Sequence, residues 1–446
     1  MASTVFDSAV FRDAFSTPAM REVFADEATV ARYVEVEVAL AAAEARAGVI
    51  PQAAADAIRR HARAKTIDLA KLKDETELVG YPIVGLVRQL AKQCGEAGRY
   101  VHWGATTQDI MDTATVLQVR DALALVETEL AAIAKALAGL ARKYRGAVMA
   151  GRTHLQHALP VTFGYKAAVW LSMIQRHRRR LTEMKPRVLV GQFGGAAGTL
   201  ASLGDKGLAV HEALMAELGL GASPIPWHVA RDGLAETAGL LGLITGSLAK
   251  IATDVMLMMQ TEVGEVFEPY EEGRGSSSTM PQKRNPISCE LILAAAKIVR
   301  QNAGLMLDAM ASDYERATGP WQVEWQALPE AFLAASAALH QARFMLEGLV
   351  VDPKRMRRNL DQTGGLILAE AVMMALAEHT GRQDAHHVVA HAARAALEQG
   401  TTLLAQLEKE PKVTQHLSNE RLRELLDPER YLGSATAMVD RVLSEK

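Results

Sequence analysis

Residues 227–268 read WHVARDGLAETAGLLGLITGSLAKIATDVMLMMQTEVGEVFE, without one proline. Leu240, Leu241, Ile244, Leu248, Ile251, Val255 and Met259 recur largely at spacings of three and four, which is one face of a helix. The apolar surface continues round through Leu243, Met256 and Met258, so this helix is expected in the middle of a bundle, buried on several sides. Outward from it, similar periodic runs without internal proline occupy 110–144, 160–185 and 286–312. Pro160, Pro286 and Pro353 are placed to open helices, where a missing N–H costs nothing. Strand signals are nearly absent, because no alternating Val/Ile/Thr runs are joined by Asn-Gly or Asp-Gly turns. The expected fold class is all-α, in three helical domains. Short helices fill 1–110, a central bundle of long helices fills 111–352, and shorter helices with turns at Gly364-Gly365, Gly381 and Gly433 fill 353–446. Helices this apolar need partners that one chain does not supply, which predicts completion of the bundle by other subunits.

Composition narrows the classes. With 446 residues and 49% hydrophobic content, the chain can bury a large core. Its 49 basic and 52 acidic residues leave a net charge of −3, against a nucleic-acid partner. Two cysteines, Cys94 and Cys289, suit a reducing compartment. The opening MASTVFDSAVFRDAF carries acids and no apolar stretch of signal-peptide type. No run of ~18 purely apolar residues occurs. A cytoplasmic protein with no membrane partner is expected.

Three segments rich in small and polar residues interrupt the helical pattern and read as loops. In 273–290, GRGSSSTMPQKRNPISCE, five small residues from Gly275 to Thr279 precede Pro281 and the Lys283-Arg284-Asn285 triplet. Such a loop can gather a hydroxyl, a cation and backbone N–H groups around an anion; by composition alone it could equally be a solvated mobile loop. Segment 101–113, VHWGATTQDIMDT, offers His102, Thr106, Thr107, Gln108 and Asp109 as donors to a carboxylate, or an ordinary helix start capped by Thr107 or Asp109. Segment 151–162, GRTHLQHALPVT, carries His154 and His157; either could titrate near neutrality or be a surface residue, and no third ligand for a metal is evident.

The first of these strings resembles the signature of the fumarase/aspartase superfamily, Gly-Ser-Ser-x-Met-Pro-x-Lys-x-Asn-Pro, matched by Ser277, Ser278, Met280, Pro281, Lys283, Asn285 and Pro286. The second resembles the family's His-x-Gly…Thr-Ser/Thr…Asp segment. The third resembles its Thr-His-x-Gln segment, through Thr153, His154 and Gln156. The likeness extends along nearly the whole chain. QFGGAAGTLASLGDKG (192–207), PWHVARD (226–232), QTEVGEVFEP (260–269), RMRRNLDQTGGLILAEAV (355–372) and DPERYLGSA (427–435) are similar to bacterial 3-carboxy-cis,cis-muconate cycloisomerases. Adenylosuccinate lyases look more distant, since Glu315-Arg316 is followed here by ATGPWQVEW in place of their Ser-x-x-Arg-Arg stretch. Two positions depart from the cycloisomerase pattern: His154 stands where a tryptophan is usual, as in the eliminating lyases, and Gln282 where a histidine is usual.

The resemblance implies a homotetramer whose long helices form a core of about 20 helices, with active sites shared between subunits. It implies proton transfer at a carbon next to a carboxylate, through an aci-carboxylate that needs preorganised cations and N–H donors. Ser277 would be the base. Lys283 and Asn285 would hold the substrate carboxylate, and His154 would be the acid or orient the leaving group. His102, Thr106, Thr107, Gln156, Ser278, Met280 and Arg316 would bind the rest of a di- or tricarboxylate. No metal and no organic cofactor is expected. Three functions compete: a cycloisomerase, favoured by whole-chain likeness; a C–N lyase releasing fumarate, favoured by His154; and a non-catalytic protein on the same scaffold, disfavoured by the retained Ser277, Lys283 and His154.

Overall fold

The computed structural model describes residues 3–445. Among these the chain is all-α, 68% helical in 19 α-helices with a few short strands. The long elements are Thr107–Lys143, Phe163–Val188, Asp232–Met259, Ile287–Asp308 and Pro320–Glu347, of 37, 26, 28, 22 and 28 residues. The chain divides into two compact units: Met1–Leu130 with His177–Ala249 and Leu291–Gln341, and Ala131–Arg176 with Lys250–Glu290 and Ala342–Lys446.

In the first unit, helix Asp26–Arg46 buries Val36, Leu40 and Ala43 in a core with Ile58, Leu86, Leu90, Leu117, Phe193 and Leu214. The second unit packs Leu376, Val389, Leu403, Leu407 and Leu422 from its C-terminal helices. Along Asp232–Met259, Leu241, Ile244, Leu248, Ile251 and Val255 are fully buried. Leu243 is 54% exposed, so one chain covers only part of this apolar circumference.

One expectation fails locally. Residues 151–162 are not a loop, and Pro160 opens no helix. Val148–Thr153 and Gln156–Thr162 form an antiparallel hairpin, and the following helix begins at Phe163. Pro160 pairs with Ala150 beside a register shift at Gly151, where a residue without N–H is tolerated. Gly151 is required there, since a Cβ would lie 2.7 Å from the Leu159 carbonyl oxygen. The remaining prolines fit their expected places: Pro353 is the first residue of Pro353–Asp361, and Pro286 directly precedes Ile287–Asp308.

Candidate active site

In the first unit, the start of helix Thr107–Lys143 is organised by one buried carboxylate. Asp109 Oδ2 accepts from the Thr106 N–H (2.9 Å) and the Gly195 N–H (2.9 Å). Its Oδ1 accepts from the Gly194 N–H (2.8 Å) and from His228 Nε2 (2.8 Å). Asp109 therefore offers no donor to a substrate and acts as the helix cap that the alternative reading of this segment expected; the Gly194 and Gly195 bonds fasten that turn to the helix start. The Thr106-x-x-Asp109 spacing was the signal for this cap. Gly194 is held to glycine by packing, because a Cβ would meet Pro226 and His228 at 2.8–2.9 Å. Thr113 Oγ1 and the Gln192 backbone bond reciprocally at 2.7 and 2.8 Å, fastening the same strip one turn further along.

Around this cap sit the expected substrate groups. Thr106 and Thr107 are half-buried at the helix start. Gln108 donates to the His228 carbonyl (2.9 Å) and accepts from Arg316 Nη1 (2.6 Å), while Arg316 Nη2 donates to the Ala196 carbonyl (2.7 Å). Arg316 is thus brought to Gln108 from far along the chain. His102 lies just before the helix, with Nδ1 2.6 Å from Glu37 Oε1. Beneath them, Arg231 pairs with Asp112 and Glu324, all buried, and Trp321 Nε1 donates to Asp112 (3.1 Å). Sequence reasoning missed Glu37, His228, Arg231 and Glu324 as supports, since each is distant in sequence from what it holds.

In the second unit, loop 273–285 is closed at its neck. The Asn285 N–H donates to the Gly275 carbonyl (2.9 Å), and Ser276 bridges Arg284. Gly275 has φ +66°, and a Cβ there would lie 2.6 Å from the Asn285 oxygen. Ser277 Oγ accepts from the Met280 N–H (3.0 Å) and the Thr279 N–H (3.3 Å). Two backbone donors thus already face the oxygen that would carry charge as an alkoxide. The Lys283 N–H donates to the Met280 carbonyl (3.1 Å); its side chain, like Ser278 and Met280, is exposed, and no described ion pair engages it. Beneath the loop, the buried Glu268 carboxylate accepts from the Ser288 and Cys289 N–H groups (3.1 and 2.9 Å), anchoring helix Ile287–Asp308.

The hairpin in the same unit carries His154 at its tip. His154 and Leu155 have φ 50° and 64°, the left-handed pair of a two-residue I′ turn, which other sequences fill with Asn-Gly. Non-glycine residues in that region are strained, and such strain concentrates at functional sites. Thr153 and Gln156 face each other across the turn, and all four residues are exposed. The hairpin is held from below: Arg152 pairs bidentately with buried Glu265 (2.7 and 2.9 Å), which also accepts from Asn359 (2.9 Å). A cavity of about 370 Å³ beside it is lined by Arg152, Thr153, Lys166, Lys250 and Asp254. Burial holds the Lys166 amine below its ordinary range. No described hydrogen bond joins the hairpin tip to loop 273–285.

Comparison with known proteins places this geometry. Residues 12–300 match the Lyase family model, and 365–442 match Adenylosuccinate lyase C-terminus. The chain is 49% identical to 3-carboxy-cis,cis-muconate cycloisomerase of Pseudomonas aeruginosa, over 97% of this chain and 95% of that protein. It is 50% identical to Trans-aconitate decarboxylase 1 of Mycosarcoma maydis, over 97% and 88%. A crystal structure of fumarate lyase from Mesorhizobium sp. BNC1 superposes with a TM-score of 0.91 at 57% identity, covering 97% and 99% of the two chains. A family match over most of the chain, and relatives aligned nearly end to end at about half identity, make this protein an enzyme of the fumarase/aspartase, or fumarate lyase, superfamily.

Proposed function

We propose that the enzyme is a 3-carboxy-cis,cis-muconate cycloisomerase in which Ser277 transfers the proton at carbon. The observation that carries the site is the pair of N–H donors, from Thr279 and Met280, on Ser277 Oγ. A serine alkoxide is inaccessible at neutral pH unless preorganised dipoles stabilise it, and donors fixed before reaction cost no reorganisation. In the lactonising direction, one substrate carboxylate closes on the double bond and the Ser277 hydroxyl gives its proton to the carbon beside another carboxylate. In the reverse direction the Ser277 oxyanion is the base. Lys283 and Asn285 hold the carboxylate that becomes the aci-anion. Thr106, Thr107, Arg316, Gln156, Ser278 and Met280 line the remainder. The extended likeness to the Pseudomonas aeruginosa protein favours this substrate.

His154 favours a second reading. In this reading the exposed imidazole on a strained turn protonates a departing nitrogen, a step that a lyase releasing fumarate from an N-substituted aspartate needs and an internal lactonisation does not. Absorbance separates the two: loss of the muconate diene against gain of fumarate, across a panel of both substrates. Ser277→Ala should abolish either; substantial residual turnover would remove the serine from its role.

The exposed apolar residues Leu243, Leu305, Leu307 and Met310, 54%, 41%, 60% and 39% accessible, favour a homotetramer with shared sites. Inactive Ser277→Ala mixed with inactive His154→Ala should then regain activity on subunit exchange. A ~48 kDa monomer by light scattering at micromolar concentration would defeat this.

A further inference from the structure

We propose that Glu37 is a positioning residue that holds His102 as a cation, so that the site selects substrates with a further carboxylate. The inference rests on the polycarboxylate reading above and deepens it. Glu37 lies on helix Asp26–Arg46 with its side chain fully buried, whereas the His102 side chain keeps 20% of its surface. The 2.6 Å contact joins Glu37 Oε1 to His102 Nδ1. A carboxylate only accepts, so Nδ1 carries a hydrogen and Nε2, on the opposite ring edge, is left to face a ligand. The His102 backbone is left-handed, with φ 64°, four residues before Thr106. A bulky residue held in that region indicates a constraint on where its side chain points.

Charge balance supports the cation. A buried carboxylate is costly without a positive partner. Glu37 Oε2 has no hydrogen-bond partner among the described residues. One helical heptad on, Glu44 is also buried with both oxygens unpartnered, and burial pushes its carboxyl up to about 9. Glu44 is therefore neutral near pH 7, and the charge on Glu37 is answered by His102. Burial opposes the imidazolium, but the adjacent Glu37, helped by Asp109 on helix Thr107–Lys143, holds His102 above the usual histidine range. On the His102 turn itself, Arg99 lies over the Tyr100 ring. The resulting cation precedes Thr106 by four residues, and Arg316 is held by Gln108 in the turn that follows. Hydroxyls serve a carboxylate and a carboxamide alike; an imidazolium favours the ionised group.

The test is calorimetric titration of the full-length enzyme with tricarballylate and with succinate, at pH 6 and pH 8, in buffers of different ionisation enthalpy. Glu37→Gln keeps the shape and removes the charge. Relative to wild type at the same pH, it should weaken tricarballylate about tenfold or more at pH 8, the order of one charge-assisted hydrogen bond, and much less at pH 6. Binding near pH 7 should then take up more protons in the variant than in wild type. Succinate should be weakened less. If Glu37→Gln does not fold, His102→Gln should lose tricarballylate affinity equally at both pH values. An equal loss at both pH values in Glu37→Gln, or no extra proton uptake, would make Glu37 merely structural and overturn the proposal. Failure of wild type to consume 3-carboxy-cis,cis-muconate would defeat the assigned reaction while leaving this calorimetric result to stand or fall by itself.

Discussion

Asp109→Asn tests how the first unit holds the start of helix Thr107–Lys143. The carboxylate receives two donors on each oxygen: Thr106 and Gly195 N–H on Oδ2, Gly194 N–H and His228 Nε2 on Oδ1. Asparagine must turn an NH₂ toward one pair. Facing Thr106 and Gly195, it orphans two backbone donors that have no alternative. Facing Gly194 and His228, it orphans one, because His228 can shift its proton to Nδ1 and accept at Nε2. The second orientation should therefore be adopted. An unsatisfied buried N–H costs about 1–3 kcal/mol, and each remaining bond falls from charge-assisted to neutral strength, a loss of about 0.5–1.5 kcal/mol apiece. One orphaned N–H plus three weakened bonds sum to about 2.5–7.5 kcal/mol, large for one isosteric change. Urea unfolding followed by ellipticity at fixed protein concentration should show the lower midpoint with an unchanged slope. Turnover should fall as well, since Thr106 and the Gly194-Gly195 turn lose their common anchor although Asp109 touches no substrate. A variant within about 1 kcal/mol of wild type would refute the account.

Glu44 makes a pH-dependent prediction. Its carboxyl is raised in the folded chain to about 9, above an unfolded value of about 4.3, so the native state binds the extra proton and stability should fall as pH rises between those values. Glu44→Gln should flatten that slope and stabilise the protein near pH 8, by about 5 kcal/mol at most; parallel pH profiles of the two proteins would contradict it. Gly275→Ala places a Cβ 2.6 Å from the Asn285 oxygen at φ +66° and should cut turnover at least tenfold while leaving the global melt nearly unchanged; normal kinetics would mean the loop neck does not position Ser277. His154→Trp should keep much of the activity of a cycloisomerase but lose ~10²–10⁴ from a C–N lyase, and steady-state kinetics on the accepted substrate decide between them.

The helical architecture was legible because its signal is periodic and long: Leu241, Ile244, Leu248, Ile251 and Val255 mark a face in sequence and are all fully buried. The hairpin at 148–162 was not legible, for a physical reason. Its turn is His154-Leu155, two residues that ordinarily avoid positive φ, so the Asn-Gly signal of a two-residue turn is missing. Pro160, a helix opener elsewhere, is tolerated in the strand by the irregularity at Gly151. The same departure from local preference that hid the strand leaves the imidazole exposed at the turn.

The candidate residues stand out by type, and their hydrogen-bond partners escape the sequence where those partners are distant. Asp109 belongs to the right motif, yet its oxygens are spent on Gly194, Gly195, Thr106 and His228. His102 looks like one donor among several until Glu37, 65 positions away, lies against it. A motif names groups within a few residues of one another; whether each group is a donor, an acceptor or a cation is decided by what the fold buries beside it. Ser277 is the exception that explains the rule. Its two N–H donors come from Thr279 and Met280, inside the same string, so this local geometry was readable from the string itself. The Glu37–His102 contact and the anchoring of the Thr106 turn were not, because the groups that make them enter from distant segments.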